Sequence, residues 1–358
     1  MNDLKVEKTL ADFKKKIDKE IEKYFNIVIK ETVQRDALMA EAVKYVKRTV
    51  LAGGKRLRPA FMYYGYLAVS GKEKEKILKT AVSVELVHTF LLIHDDIIDR
   101  DKKRHGMDTA NFHYEKIGKK FFKKNDFEHF GNSMALITGD MVGALGNQII
   151  FDSHFKAEDI MRALSKLQSI ISLTVIGQAQ DIYIGYRNRA TEDQVLAMYE
   201  NKTAKYTIEG PLQLGAILGG AEEKIMEELS AYALPLGIAF QIQDDILGIF
   251  GSEKKLGKRV GADIAEGKQT LLIVRAKEKA GAAQRRKLEN ILGKKDLTAQ
   301  NISDFRKTIK ETGALDYARA MAQRLVTEAK EAAEKMDIHV EAKEFLLGIA
   351  DYMANREV

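Results

Sequence analysis

The chain has 358 residues, with 58 Lys and Arg against 52 Asp and Glu and a formal net charge of +6. It contains no cysteine, which excludes a disulfide framework and a thiolate-held metal. Only three prolines interrupt a sequence rich in Ala, Leu, Lys, Glu, Ile and Met, so one all-α domain over 1–358 is expected rather than two joined by a linker.

Leu10, Phe13, Ile17, Ile21, Tyr24 and Val28 recur at helical spacing and predict an amphipathic first helix. This charged start does not read as a secretory leader. No run of 18 apolar residues lacks a charge, so a cytoplasmic chain without a transmembrane segment is expected. Gly53-Gly54 break the next helix, and Pro59 suits the first turn of another. A mostly apolar helix is predicted over 78–99, a polar loop over 100–109, and an insertion without clear period over 113–130. Three buried helices follow over 131–150, 158–185 and 192–219. Pro211 kinks the last by removing a backbone bond to Thr207. Residues 228–250 are apolar on nearly every face and predict a central helix, followed by a Gly- and Lys-rich loop over 251–263. Beyond Gly293, helical spacing runs from Leu315 to Met336, with a last helix near 341–355.

Asp95-Asp96-Ile97-Ile98-Asp99 ends the apolar helix that contains Leu91, Leu92 and Ile93. Residues four apart share a helix face, so Asp95 and Asp99 point the same way. A solvated helix end is the bland explanation; the alternative is that a hard cation compensates the clustered charge. Oxygen donors without Cys favour magnesium over zinc. A second pair, Asp244-Asp245, ends the other apolar helix. Two apolar helices that both finish in paired aspartates are poorly explained by solubility. Facing one another, they would hold magnesium ions against a diphosphate.

Gly53-Gly54-Lys55-Arg56-Leu57-Arg58-Pro59 is a glycine turn with three cations, which suits phosphate oxygens but does not match the P-loop pattern. Arg104 lies five residues beyond Asp99, within reach of a phosphate held there. Lys202, Lys258 and Lys268 each read singly as surface lysines. His88, two turns before Asp95, reads as a core histidine on spacing alone. Gln178 and Asp181 read as a buried polar pair. The basic residues are scattered along the chain, which disfavours nucleic acid as partner.

Together these segments resemble the trans-isoprenyl diphosphate synthase (polyprenyl synthetase) family, most closely its short-chain geranylgeranyl members. The resemblance spans about residues 50–272, ahead of a helical part over 273–358. It rests on GGKRLRP at 53–59, ELVHTFLLIHDDIID at 85–99, GNSMALITGD at 131–140 and GQAQDI at 177–182. It continues in KTAKYTIEGPLQLGA at 202–216, GIAFQIQDDILG at 237–248, GKRVGADIAEGKQTLL at 257–272 and DYMANR at 351–356. It implies an isoprenoid-synthase fold, a homodimer, and condensation of isopentenyl diphosphate with an allylic diphosphate. It further implies three magnesium ions on Asp95, Asp96, Asp99, Asp244 and Asp245. Arg104, Lys202 and Lys258 would hold the allylic diphosphate. Lys55, Arg58, His88 and His105 would hold isopentenyl diphosphate, with Thr203, Gln241 and Lys268 lining the site. Phe90 and Leu91 would set product length, with a C20 product expected and C15 or a longer chain as alternatives. His105 stands where the family has Arg, Asp108 where it has Pro, and Gly248 where the second acidic motif has its last Asp. A terpene cyclase, a non-catalytic subunit of a hetero-oligomer and a magnesium phosphohydrolase are competing readings. The second diphosphate site, the two intact acidic motifs and the missing nucleophile argue against them in turn.

Overall fold

The computed structural model describes residues 3–124, 126–251 and 261–354. Helix α1 (Asp3–Arg35) forms on the expected spacing and buries Phe13, Ile17, Ile21 and Phe25. Asp36 caps α2 (Ala37–Leu51) by accepting from the Met39 amide at 2.7 Å. The glycine turn then leads into α3 (Leu57–Val69). The single helix expected over 78–99 is instead α4 (Lys74–Thr80) and α5 (Val82–Ile98). Ala81 between them keeps φ −65° with ψ −13°, so the backbone tightens there without reversing.

The polar loop over 100–109 contains a two-residue antiparallel ladder, β1 (Lys103–Arg104) with β2 (Met107–Asp108). His105 and Gly106 join them with φ 49° and 78°, the positive pair that a tight hairpin needs. The stretch read as an irregular insertion is mostly ordered helix. It holds α6 (Ala110–Phe121) and the start of α7 (Phe127–Phe151). Ala110, Tyr114 and Gly118 are buried four residues apart, a period hidden among lysines and aromatics.

Helix α8 (Ala157–Arg187) is followed by α9 (Glu192–Tyr199), which a Thr191/Gln194 capping box starts. A π-helical segment, Glu200–Glu209, continues directly into α10 (Gly210–Leu218) with Pro211 in its first turn. The irregularity expected from Pro211 is therefore spread over the preceding ten residues as a widened helix rather than a sharp kink. The central helix is α11 (Glu223–Phe250). Then come α12 (Ala262–Glu266), α13 (Leu271–Lys279), α14 (Ala282–Ile291), α15 (Ala299–Glu311), α16 (Ala314–Lys335) and α17 (Val340–Ala354).

The packing places the site. Helix α5 lies along α7, α3 along α10, and α11 between α16 and the π-helical segment, which α8 also covers. The acidic end of α5 and the Asp244-Asp245 pair of α11 therefore emerge from one apolar core, but the second pair does not end its helix as expected: α11 continues through Ile246, Leu247 and Ile249 to Phe250. Among the described residues, four stretches each contain an 18-residue window apolar enough to cross a membrane by length and composition, with at most two charged residues in the window. Lacking an uncharged run of 18 is thus a weaker constraint than the sequence reading took it to be. Two of the four, Lys74–Ile98 and Glu223–Phe250, are 61% and 56% buried inside the protein, so core packing accounts for their composition. The other two are α7 and α8, only 39% and 28% buried. Their outer faces carry Leu136, Ile137, Phe151, Met161, Val175, Ile176 and Tyr183 in exposed positions.

Candidate active site

At the end of α5 the three aspartates diverge. Asp96 is buried and accepts two hydrogen bonds from Arg104, from Nε at 2.8 Å and Nη2 at 2.6 Å. The hairpin β1–β2 is what carries Arg104 back over the helix end. Burial pushes the Asp96 carboxyl up to about 6 against the pull of Arg104. Asp95 is partly exposed and accepts from Gln178 Nε2 on α8 at 3.0 Å. Asp99 lies 3.6 Å from Lys268 Nζ; burial raises its carboxyl, while Lys268 opposes the rise.

The acidic pair of α11 is built differently. Asp245 is buried and takes hydrogen bonds from the Tyr199 hydroxyl and from Gln241 Nε2, the latter at 2.8 Å. Gln241 Oε1 accepts in turn from Thr203 Oγ1 at 2.7 Å, and Tyr199 accepts from the Leu271 amide at 2.9 Å. Burial, with Asp263 nearby, pushes the Asp245 carboxyl up to about 8. Asp244, beside it, is partly exposed.

Lys268 links Asp99 of α5 to Asp263, which lies against Gly248 of α11. Its ammonium sits 2.6 Å from Glu266, 3.6 Å from Asp263 and 3.6 Å from Asp99. Burial alone would lower its pKa, but these carboxylates together hold it well above the ordinary lysine range. Lys202, at the start of the π-helical segment, pairs with Asp181 on α8. Gly177 permits this approach, since a Cβ there would meet the Lys202 backbone nitrogen at 2.4 Å. Gln178 and Asp181, expected as a buried polar pair, are instead half-buried and bond separately, Gln178 to Asp95 and Asp181 to Lys202.

The three cations of the glycine turn separate into two kinds. Arg56 is buried and tied to Asp18 at 2.7 Å, Glu85 at 2.6 Å and the Val50 carbonyl at 2.6 Å, which makes it a structural strut. Lys55 is exposed and donates to the Tyr352 hydroxyl at 2.7 Å. Arg58 donates to Thr207 Oγ1 at 2.8 Å and lies 4.3 Å over the Tyr206 ring, while its buried Nε has no partner among the described residues. His88 shares a 2.6 Å hydrogen bond between Nδ1 and the Tyr206 hydroxyl. Burial, then Arg58 and Arg104, push its pKa well below the usual histidine range. A cavity of about 70 Å³ joins Gly53, Gly54, His88, Arg104 and His105.

The departures from the family pattern have local explanations. His105 lies against Gly53, where a Cβ would come within 2.7 Å of its ring. Asp108 pairs with Lys103 at 2.7 Å and Lys116 at 2.8 Å, fastening the hairpin to α6. A side chain at 248 would collide with Asp263, whose Oδ2 lies 2.4 Å from the Cβ position. Phe90 and Leu91 face different neighbours. Phe90 packs on Gly143 of α7 and edge-on to His94, whereas Leu91 stays on the stripe of His88 and Asp95. Lys258 lies outside the described residues, as do Asn355 and Arg356 of the terminal motif.

Sequence reasoning missed Tyr199, Tyr206, Asp263 and Tyr352. Each lies in or near a segment already singled out, but nothing in a single sequence says which neighbours a tyrosine hydroxyl will reach. The donor set is all oxygen and partly desolvated, which suits a hard divalent cation. Among the described residues no three acidic or histidine side chains enclose an ion by themselves. That also fits magnesium, which commonly keeps water and substrate phosphate among its ligands.

The polyprenyl synthetase family model matches residues 37–311. The chain is similar to the geranylgeranyl diphosphate synthase of Methanosarcina mazei, 35% identical over 319 residues that cover 88% of this chain and 90% of that one. It is also similar to the geranylfarnesyl diphosphate synthase of Aeropyrum pernix, 33% identical over 333 residues, covering 91% and 96%. Its fold matches a crystal structure of geranylgeranyl pyrophosphate synthase from Corynebacterium glutamicum complexed with isoprenyl diphosphate and magnesium. There the TM-score is 0.92 at 29% identity, over 97% of this chain and 99% of that chain. The likeness therefore extends past the motifs into the flanking helices.

Proposed function

The chain belongs to the polyprenyl synthetase family and is a trans-prenyltransferase of the isoprenoid-synthase fold, and we propose that it condenses isopentenyl diphosphate with an allylic diphosphate to give geranylgeranyl diphosphate. The observation that carries this reading is the pair of acidic helices, α5 and α11, with Lys268 against Asp99 of α5 and against Asp263, which lies at Gly248 of α11, and a separate basic turn at 53–59. One diphosphate belongs at the acidic pairs and the other at the turn.

Asp95, Asp96, Asp99, Asp244 and Asp245 would hold magnesium, in our reading three ions. Bound magnesium would neutralise the allylic diphosphate so that it can leave. Arg104, Lys202 and Lys268 orient that diphosphate, together with Lys258. The Thr203 and Gln241 oxygens and the apolar walls shelter the positive carbon that remains. Lys55, Arg58, His88 and His105 fix isopentenyl diphosphate so that its double bond reaches that carbon. No side-chain base stands out among these groups, and the proton lost at the end goes to the departed diphosphate.

The C20 assignment rests on Phe90 below an uninserted first motif, with relatives named for C20 and C25 products on either side of the same fold. C15 or a longer chain is the second reading. Incubation with isopentenyl diphosphate, each allylic primer and magnesium, followed by chromatography of the products, tests it. A C20 product is expected; a C30 or longer product refutes the assignment, and no condensation with any primer refutes the enzyme reading in favour of a non-catalytic subunit.

The exposed apolar faces of α7 and α8 support a homodimer formed by a single-domain, cytoplasmic chain without transmembrane segments. Light scattering at micromolar concentration should give twice the chain mass. A detergent requirement for solubility would count against this.

A further inference from the structure

We infer that Tyr206 fixes the tautomer of His88, so that a neutral imidazole presents its Nε2–H to the isopentenyl diphosphate; the identity of that ligand rests on the function proposed above. The two residues come from distant parts of the chain. His88 is on α5, Tyr206 is in the π-helical segment, and their hydroxyl and Nδ1 are 2.6 Å apart. Tyr206 is buried at 8% exposure, and His88 is its hydroxyl's only hydrogen-bond partner among the described residues. If Nδ1 carried the proton, the phenol would accept and its own O–H would be left unsatisfied inside the protein. That arrangement is costly, whereas donation from the phenol to Nδ1 satisfies both groups. The Arg58 guanidinium, 4.3 Å over the ring, draws electron density from the phenol and strengthens it as a donor.

The proton of neutral His88 then sits on Nε2, which has no protein partner among the described residues. The ring lines the cavity that Gly53, Gly54, Arg104 and His105 also line. A fixed N–H donor in a cationic pocket suits a phosphate oxygen, and it needs no protonation of the imidazole. Tyr206 is thus a positioning residue for two side chains of one subsite: it holds His88 by its hydroxyl and supports Arg58 by its ring face.

The test uses the full chain labelled with ¹⁵N-histidine and free of substrate, with His88 assigned by the signals lost in His88→Gln. Wild type should show an unprotonated Nδ1 and a protonated Nε2 that persist between about pH 6 and 8. Tyr206→Phe should give a mixture of tautomers in exchange. It should also raise the KM for isopentenyl diphosphate about tenfold, with little change in the allylic KM. A protonated Nδ1 in wild type overturns the inference even if the variant fails to fold. So does an unaltered tautomer, or an unaltered isopentenyl KM, in a folded Tyr206→Phe. An equal rise in both KM values after His88→Gln would refute the assignment of isopentenyl diphosphate to this subsite, while the tautomer measurement would still decide the inference.

Discussion

The two acidic ends look alike in sequence and are held by opposite physics. At α5, Asp96 is buried against a cation, Arg104, with Asp95 and Asp101 also within 4 Å of that guanidinium. At α11, Asp245 is buried against a phenol and an amide, and no cation lies against it among the described residues. At the first end Arg104 offsets part of the clustered charge and holds the rise of Asp96 to about 6. The second stays raised to about 8, and a cation from outside would relieve it. A repeated motif therefore need not mean a repeated environment. The difference comes from what the rest of the chain delivers to each helix end: a hairpin arginine to one, a tyrosine and a glutamine to the other.

The broadest way to break this comparison is to remove one ligand from each end. Asp95→Ala and Asp244→Ala should each lower turnover by about 10²–10³-fold or more while leaving the helical circular dichroism signal intact. A near-normal rate in either would show that the two ends do not serve one diphosphate. The basic turn comes next. Lys55→Ala and Arg58→Ala should raise the KM for isopentenyl diphosphate about tenfold, and more than that for the allylic primer, as loss of a charge-assisted phosphate contact requires. Equal effects on both substrates would make the turn structural, like Arg56.

A stability measurement sharpens the contrast directly. With a chelator present, Asp96→Asn should lose about 1–3 kcal/mol, because it strips the closest counter-charge from Arg104. Above about pH 8, where the Asp245 carboxyl ionises, Asp245→Asn should be neutral or stabilising with the chelator present, since it removes a buried charge without a cationic partner. Equal losses by denaturant titration would erase the distinction. The smallest change concerns chain length: Phe90→Ala should keep the enzyme active and shift products to C25 or longer. An unchanged product would mean that Phe90, packed on Gly143, is ordinary α5–α7 filling.

Much of this was legible beforehand for a specific reason. Helical periodicity is a local property, so α1, α7, α8, α11 and α16 could be read from spacing. The acidic pairs, the glycine turn and the lysines stood out because their residue types limit the chemistry they can perform. Where the sequence reading failed, local signals were weak or contradictory. In α6 the buried Ala110, Tyr114 and Gly118 are diluted by lysines. The hairpin at Lys103–Asp108 has a histidine at a position where Asn or Gly would announce the turn.

By itself, then, the sequence determined the helical class, the oxygen-only donor set and which side chains could meet a diphosphate, because residue type and period set these. Only the tertiary structure decided the partners. It turned Arg56 inward as a strut and left Lys55 outside, set Asp263 in the space left by Gly248, and brought Tyr199 and Tyr206 to Asp245 and His88. The reason is physical. A hydroxyl or guanidinium is satisfied by whatever lies within about 3 Å in space, and separations such as 46 or 118 residues along the chain leave no local trace of that meeting.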